Sequence, residues 1–197
     1  MGRIVTPPEH RFPWYVRLFL RNQRRRYGKV LEPARLWGRS PRVFAAVALL
    51  FGALDRRSSP LSRALRALVT VRVSQLNWCA FCVDINGARV LGFGVDEAKL
   101  ADLPGFRTSS RYDAAERAAL AYAEAVTLSD CQVDDALFAS LREHFDDDAI
   151  IELTAMIAFQ NMSSKFNAAL DVAPQGFCRM PPGGIDEPRA PHREIES

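Results

Sequence analysis

An all-α fold is predicted for this chain of 197 residues, and three observations predict it. Apolar residues recur at helical spacing along most of the length. Serine or aspartate recurs just before those runs, where helix N-caps belong. Alternating patterns of the kind that make strands are scarce. The length suits one domain with a sizeable core and is short for two. With 48% apolar and 25% charged residues, the composition is that of a soluble globular protein.

The first segment, residues 12–27, combines Phe12, Trp14, Tyr15, Leu18, Phe19 and Leu20 with Arg17, Arg21, Arg24, Arg25 and Arg26. Such a segment can lie on a membrane or touch nucleic acid. It can equally be an arm or helix that packs its aromatic face on the domain or on a neighbouring subunit. The net charge of only +3 favours the packed arm, and no nucleic-acid partner is expected. Residues 1–8 lack the apolar stretch of a signal peptide. The longest apolar run, Val43 to Phe51, is too short to span a bilayer. The expected compartment is therefore the cytoplasm.

Ser40-Pro41 and Ser59-Pro60 each read as an N-cap followed by proline at the first helical position. From Pro60, Leu61, Leu65, Leu68, Val69, Val73 and Leu76 recur at helical spacing, until Asn77-Trp78 interrupts them. A new helix begins near Cys79 and runs through Ala88, Val90 and Leu91 to Gly92-Phe93-Gly94, a plausible stop. Asp96 caps a short helix through Leu100 and Leu103, ended by Pro104-Gly105. Asp113 and Glu116 form a capping box that opens an alanine-rich helix to about Leu128. Asp134 starts a helix through Leu137, Phe138, Leu141 and Phe145. The acidic run Asp146-Asp147-Asp148 opens the last and longest helix, to about Leu170, where negative charge suits the helix dipole. Leu65, Leu68, Val71 and Gln75 match Ile150, Leu153, Met156 and Gln160 at a constant offset of 85, as a duplicated helical unit would. The chain thus divides into a basic aromatic arm (1–34), a helical domain (35–173) and a Pro/Gly-rich tail (174–197) of extended or disordered character.

The chemistry concentrates at Cys79-Ala80-Phe81-Cys82. Two thiols two residues apart can close a reversible disulfide. If a helix starts at Cys79, its unpaired N–H groups and dipole favour the thiolate, and such sites lower a cysteine pKa from about 8.5 to roughly 3.5–7.5. Cys82 lies one turn later, placed to attack a mixed disulfide on Cys79. A zinc site lacks further ligands, since Cys131 and Cys178 are isolated and His10, His144 and His192 are remote in sequence. No metal or other cofactor is expected. Two buried thiols without chemistry remain an alternative.

The stretch Arg72-Val73-Ser74-Gln75-Leu76-Asn77-Trp78-Cys79-Ala80-Phe81-Cys82-Val83-Asp84-Ile85 resembles the signature of the carboxymuconolactone decarboxylase-like superfamily, in its alkylhydroperoxidase D-like branch. Leu36 to Pro41, Gly92-Phe93-Gly94, Asn161, Lys165 to Leu170 and Pro174 to Phe177 are also similar to members of this group. The resemblance implies an alkylhydroperoxidase D-like helical domain that forms homo-oligomers, as trimers, their multiples or dimers. It implies a cysteine pair that passes reducing equivalents to peroxides or to a redox protein partner. It further implies a glutamate and a histidine relaying protons, at positions that here hold Ala67 and Asn86.

Asn86 can hydrogen-bond a sulfur or a water but cannot exchange a proton near neutral pH; Ala67 can do neither. Slow thiol–disulfide exchange is therefore better supported than fast peroxide reduction. Cys79 is expected to be the more exposed first thiolate and Cys82 its resolving partner. Asp84 would raise a neighbouring thiol pKa if unscreened, but is expected to point to solvent or to pair with Arg89 or Arg72. Glu152, the counterpart of Ala67 at the offset of 85, is a candidate substitute carboxylate. The leading expectation is a peroxidase-like thiol oxidoreductase. The alternatives are a non-enzymatic helical oligomer or redox-responsive binding protein, and a carboxymuconolactone-type decarboxylase.

Overall fold

Local capping signals place most of the helix starts in the computed structural model of the chain, which describes residues 2–178. Helix α1 (Trp14–Tyr27) follows Pro13 and ends at Gly28, whose φ of 73° lies where a side chain would be strained. Helix α2 (Glu32–Gly38) carries proline in its first turn and α3 (Pro41–Leu54) begins after Ser40. They are followed by α4 (Arg63–Leu76), α5 (Ala80–Gly92), α6 (Glu97–Ala101), α7 (Ala114–Thr127), α8 (Asp135–Arg142) and α9 (Asp147–Ala169). No strand occurs among the described residues.

Most caps are the expected ones, but Ser40 holds the cap position of α3 without a side-chain cap hydrogen bond, and the cap of α4 is shifted. Asp96, Asp113, Asp134 and Asp146 each accept a backbone N–H at their helix starts, and Asp113 with Glu116 closes a full capping box. Helix α4 is capped by Ser62, which accepts from Leu65 N at 3.1 Å, and not by Ser59. Pro60 therefore lies in the preceding turn, and Ser59 Oγ accepts from Leu61 N and donates to Glu152. Helix α8 stops at Arg142, short of the expected Phe145, because the chain turns there into the Asp146 cap of α9.

Helix α4 runs through the centre and packs on α5, α7 and α9. Its buried Leu68, Val69, Val71 and Val73 meet Leu120, Ala119 and Ala123 of α7 and Leu153, Met156 and Ile157 of α9 in one apolar core. Truncating a side chain as enclosed as Leu68 to alanine costs about 2–5 kcal/mol. A second, smaller core joins Phe12, Val16 and Leu20 to Val30, Ala34 and Phe44. The basic aromatic segment is thus a helix packed on the body, with Trp14 and Leu18 left outside. Helix α1 lies close on α2: a Cβ at Gly38 would sit 3.1 Å from the Phe12 ring and 3.2 Å from Val16.

A third cluster gathers Leu36, Phe81, Val172 and the two cysteines Cys79 and Cys82. Trp37 of α2 stacks on Phe166 of α9 with ring centroids 3.6 Å apart, closing the arm over this cluster. The expected boundary between residues 34 and 35 falls within α2. Of the tail expected from residue 174, residues 179–197 lie outside those described. No helix of the described residues is long and apolar enough to cross a membrane.

Candidate redox site

The cysteine pair is positioned by the break between α4 and α5. Trp78 adopts a positive φ of 55°, a conformation uncommon for a residue with a side chain, and this turns the chain back on itself. Trp78 N donates to Gln75 O and Cys79 N to Ser74 O, both at 3.0 Å. Asn77 pins the turn to α9 by donating from Nδ2 to Asn161 Oδ1 and Ser164 Oγ, each at 2.9 Å. Helix α5 then starts with Cys79 as its cap residue, and Cys79 Sγ accepts from Cys82 N at 3.2 Å. The expected helix N-terminus at Cys79 is present.

Cys79 and Cys82 are joined as a disulfide, with Cα atoms 5.2 Å apart. Each is 2% exposed, so Cys79 is not the more exposed of the two. Cys82 Sγ accepts a hydrogen bond from Asn167 Nδ2 of α9 at 3.2 Å. Each sulfur thus accepts one N–H: the Cys82 backbone amide at Cys79 and the Asn167 side chain at Cys82.

Asp84 neither points to solvent nor pairs with Arg89 or Arg72. It is buried, and its carboxylate accepts the backbone N–H groups of Gln175, Phe177 and Cys178 at 2.8, 2.7 and 2.7 Å. Arg89 instead pairs with Asp55, and Arg72 with Glu124. Asp84 is thus the anchor of the C-terminal segment beside the disulfide. Gln175 extends the anchorage, receiving Glu32 N on Oε1 at 3.0 Å and donating from Nε2 to Val30 O at 3.2 Å. Glu152 is held by Arg56 and Ser59 and is not among the residues that line the cavity at Ala67.

Two adjoining cavities meet at Asn86. The one that reaches the disulfide, called the inner cavity for that reason, has about 290 Å³ and is lined by Cys82, Asn86 and Asn167 and by the rings of Phe19, Trp37, Phe44 and Phe81. The outer one, of about 460 Å³, is lined by Ala67, Asn86, Asp55 and several arginines. Ala67 and Asn86, far apart in sequence, therefore face the same space. Asp55 is the single carboxylate among the residues lining either cavity, and none of them is a histidine. Among the described residues no group of three or more His, Cys, Asp or Glu side chains is arranged to hold a metal. The free Cys131 is exposed and Cys178 half-buried.

Reasoning from the sequence did not find Asn167, Asp55 or the cavity arginines as site residues. The offset of 85 that aligns α4 with α9 also separates Cys82 from Asn167, and Asn167 lies in the family-like stretch Lys165 to Leu170, two signals that point to it.

Comparison with known proteins agrees with this geometry. Residues 41–125 match the model of the carboxymuconolactone decarboxylase family. The chain is 43% identical over 175 residues to the uncharacterised protein YnjA of Escherichia coli (strain K12), covering 89% of this chain and 96% of that one. It is 31% identical over 115 residues to the uncharacterised protein YdfG of Bacillus subtilis (strain 168), covering 58% of this chain and 78% of that one. Among solved structures it superposes with a TM-score of 0.80 on an uncharacterised peroxidase-related protein with an alkylhydroperoxidase AhpD core from Ralstonia eutropha JMP134, at 23% identity over 89% of this chain and 94% of the other. The debrominase Bmp8 superposes with a TM-score of 0.78 at 25% identity, covering 93% and 96%; a cysteine-to-alanine variant of it was solved with 2,3,4-tribromopyrrole.

Proposed function

We propose that this chain, which belongs to the carboxymuconolactone decarboxylase and alkylhydroperoxidase D-like superfamily, is a thiol–disulfide oxidoreductase whose Cys79–Cys82 dithiol reduces a hydroperoxide in the inner cavity. The observation that carries the reading is the disulfide at the start of α5 with Cys82 in the cavity wall. Cys79 does not line that cavity, so Cys82 is the attacking thiol and Cys79 resolves. This reverses the order expected from the helix dipole alone.

The Cys82 thiolate attacks the terminal oxygen of ROOH, the O–O bond breaks, and RO⁻ leaves and takes a proton to become the alcohol. Cys82 is then a sulfenic acid. The Cys79 thiolate attacks its sulfur, closes the disulfide and expels hydroxide, which is protonated to water. Two electrons pass from the dithiol to the peroxide, and a dithiol reductant restores the pair. Asn167 supports this step twice. Its Nδ2 stabilises the sulfur, and its Oδ1, buried without a partner, can accept the O–H of the incoming peroxide. With Ala67 and Asn86 at the relay positions the proton comes from water, and a positioned acid's usual gain of about 10²–10⁴-fold is forgone.

The test is peroxide consumption by the reduced full-length protein, read with thiol alkylation and mass spectrometry. Wild type loses both thiols of the pair per peroxide consumed. Cys82→Ser consumes none, and Cys79→Ser stops at a sulfenic acid that a carbon nucleophile traps. A wild-type protein that keeps both thiols under excess peroxide would sink the reading. A redox potential of about −180 to −270 mV would be in the range of cytosolic oxidoreductases.

The ring-lined inner cavity favours a second electrophile, a brominated aromatic, of the kind bound to the debrominase relative. There Cys82 would take the bromine from carbon, the carbon would take a proton, and Cys79 would displace bromide to close the disulfide. Bromide release by the reduced protein decides between the two substrates. Self-association belongs to the proposal too, supported by the exposed Val43, Leu49 and Leu50 of α3. A monomer mass by light scattering would remove it.

A further inference from the structure

Five arginines, Arg26, Arg57, Arg63, Arg66 and Arg89, line the outer cavity against the single carboxylate of Asp55. Asp55 is already paired with Arg89. Among the described residues, no carboxylate forms an ion pair with any of the other four. Three of these four are exposed and can be neutralised by solvent, but Arg66 is not. It is 7% exposed, with Nη1 donating to Leu54 O at 2.8 Å and Nη2 to Arg56 O at 3.2 Å. Its Nε is buried and donates to nothing.

A buried guanidinium with one unsatisfied N–H is costly when the carboxylate beside it, Asp55, is already ion-paired with Arg89. Burial lowers the pKa of Arg66; Asp55 opposes it, and Arg89, Arg63 and Arg56 add smaller pushes in the direction of burial. The missing component is an anion with oxygen acceptors. Guanidinium groups take a carboxylate through paired N–H donors.

The position of this charge relative to the disulfide gives it a role. Arg26, Phe51, Asn86, Arg89, Phe159 and Gln160 line both cavities, so the two spaces adjoin beside Asn86. The inner cavity is lined mainly by apolar and aromatic side chains, with Arg26 and Arg89 on the side it shares with the outer one, and includes Cys82. A ligand filling both spaces is charged at one end and apolar at the other.

We propose that the outer cavity is a carboxylate subsite, and that the molecule reduced at Cys82 is an organic acid whose apolar body lies in the inner cavity. The subsite deepens the thiol-peroxidase reading and rests on it for the reaction, though not for binding. Arg66 and Arg63, from adjacent turns of α4, hold the carboxylate. Arg89, kept in place by Asp55, lies where the two cavities adjoin.

Binding is tested by titration calorimetry on the full-length oxidised protein with decanoate and with 1-decanol, which share a body and differ in charge. Decanoate binds one per chain, at least about 10-fold tighter than decanol. Arg63→Gln and Arg57→Gln, both exposed and free of backbone contacts, each narrow that preference by about 3-fold. Arg66→Gln abolishes it. Because Arg66 also ties down Leu54 and Arg56, its loss can unfold the chain, and the two exposed variants then decide. Equal binding of decanoate and decanol, or an unchanged preference in both exposed variants, overturns the subsite.

Turnover separates this result from the redox reading. Charge-selective binding with no reduction of an acid hydroperoxide leaves the subsite and removes the peroxide reduction. Reduction of cumene hydroperoxide as fast as an acid hydroperoxide leaves the thiol chemistry and overturns the assignment of the reduced molecule as an organic acid.

Discussion

Asn167 donates its side-chain N–H to the sulfur of Cys82 at 3.2 Å, while the oxygen of the same amide is buried without a partner. One side chain on α9 thus presents a donor to the sulfur and an acceptor to whatever reaches it. Hydrogen bonds to charged groups contribute about 1.5–3 kcal/mol, which corresponds to about 1–2 units of thiol pKa. Asn167→Ala is expected to raise the Cys82 pKa by that amount and to slow its alkylation near neutral pH. Asn167→Asp is expected to raise it further, since a carboxylate disfavours a neighbouring thiolate. The pH dependence of alkylation, followed on Cys82 in a Cys79→Ser background, measures both.

Restoring a proton relay is expected to accelerate peroxide reduction. Ala67 and Asn86 face the same cavity, so Ala67→Glu and Asn86→His would place a carboxylate and an imidazole together. The double variant should gain at least about 10-fold in the peroxide-dependent rate. Its pH profile should acquire an inflection near the imidazole pKa. An unchanged rate and profile would show that another group already moves the proton.

Removing the Asp84 carboxylate is expected to free the C-terminal segment. Three buried or half-buried N–H groups converge on it, and their loss of an acceptor costs about 2–5 kcal/mol in total. Asp84→Ala should lower the thermal midpoint and open the chain after Val172 to proteolysis. Asp84→Asn keeps acceptor capacity without the charge and should fall between the two. Limited proteolysis with mass analysis of the fragments checks the order.

Alkaline pH should destabilise the fold through Tyr112. Burial, helped by Asp102 and Glu116 and opposed by Arg111 and Arg72, raises its phenol well above the ordinary value. Its Oη donates to Lys99 O. In the unfolded chain the phenol ionises at about pH 10, whereas the folded chain holds the proton to higher pH. The unfolded state therefore binds fewer protons above about pH 10, and the stability present below that pH falls as pH rises. Tyr112→Phe should cost about 0.5–1.5 kcal/mol at neutral pH for the lost hydrogen bond and should flatten the alkaline decline. Urea unfolding at both pH values, compared between the two proteins, gives the result.

The parts of this molecule that were legible in advance are those decided within a few residues. Asp113 and Glu116 cap α7 because the partners of each are three positions away. The same locality made the acidic starts of α8 and α9 readable. Ser59 was the plausible cap by its proline neighbour, yet Ser62 has the geometry, since Ser59 is engaged by Glu152 across the fold. Helix α2 is short and begins after Leu31 without a side-chain cap, so it gave no local sign. Asp84 was misread because its partners are backbone groups 91 to 94 residues away, which leave no trace in residue type. The outer cavity was invisible for the same reason: its arginines come from α1, the α3–α4 turn, α4 and α5 and look scattered along the chain.

The segment that matches the family, residues 41–125, contains both thiols but not the whole chamber in front of them. Phe19 and Trp37 precede it, and Phe159, Gln160 and Asn167 follow it. The cysteine pair and the shape of the chamber before it are therefore written in different stretches of the chain. Substitutions in the flanking helices can change what is admitted while the sulfur chemistry stays as it is. Relatives that share the cysteine motif would then differ in diet, and the residues to compare first lie outside the motif that unites them.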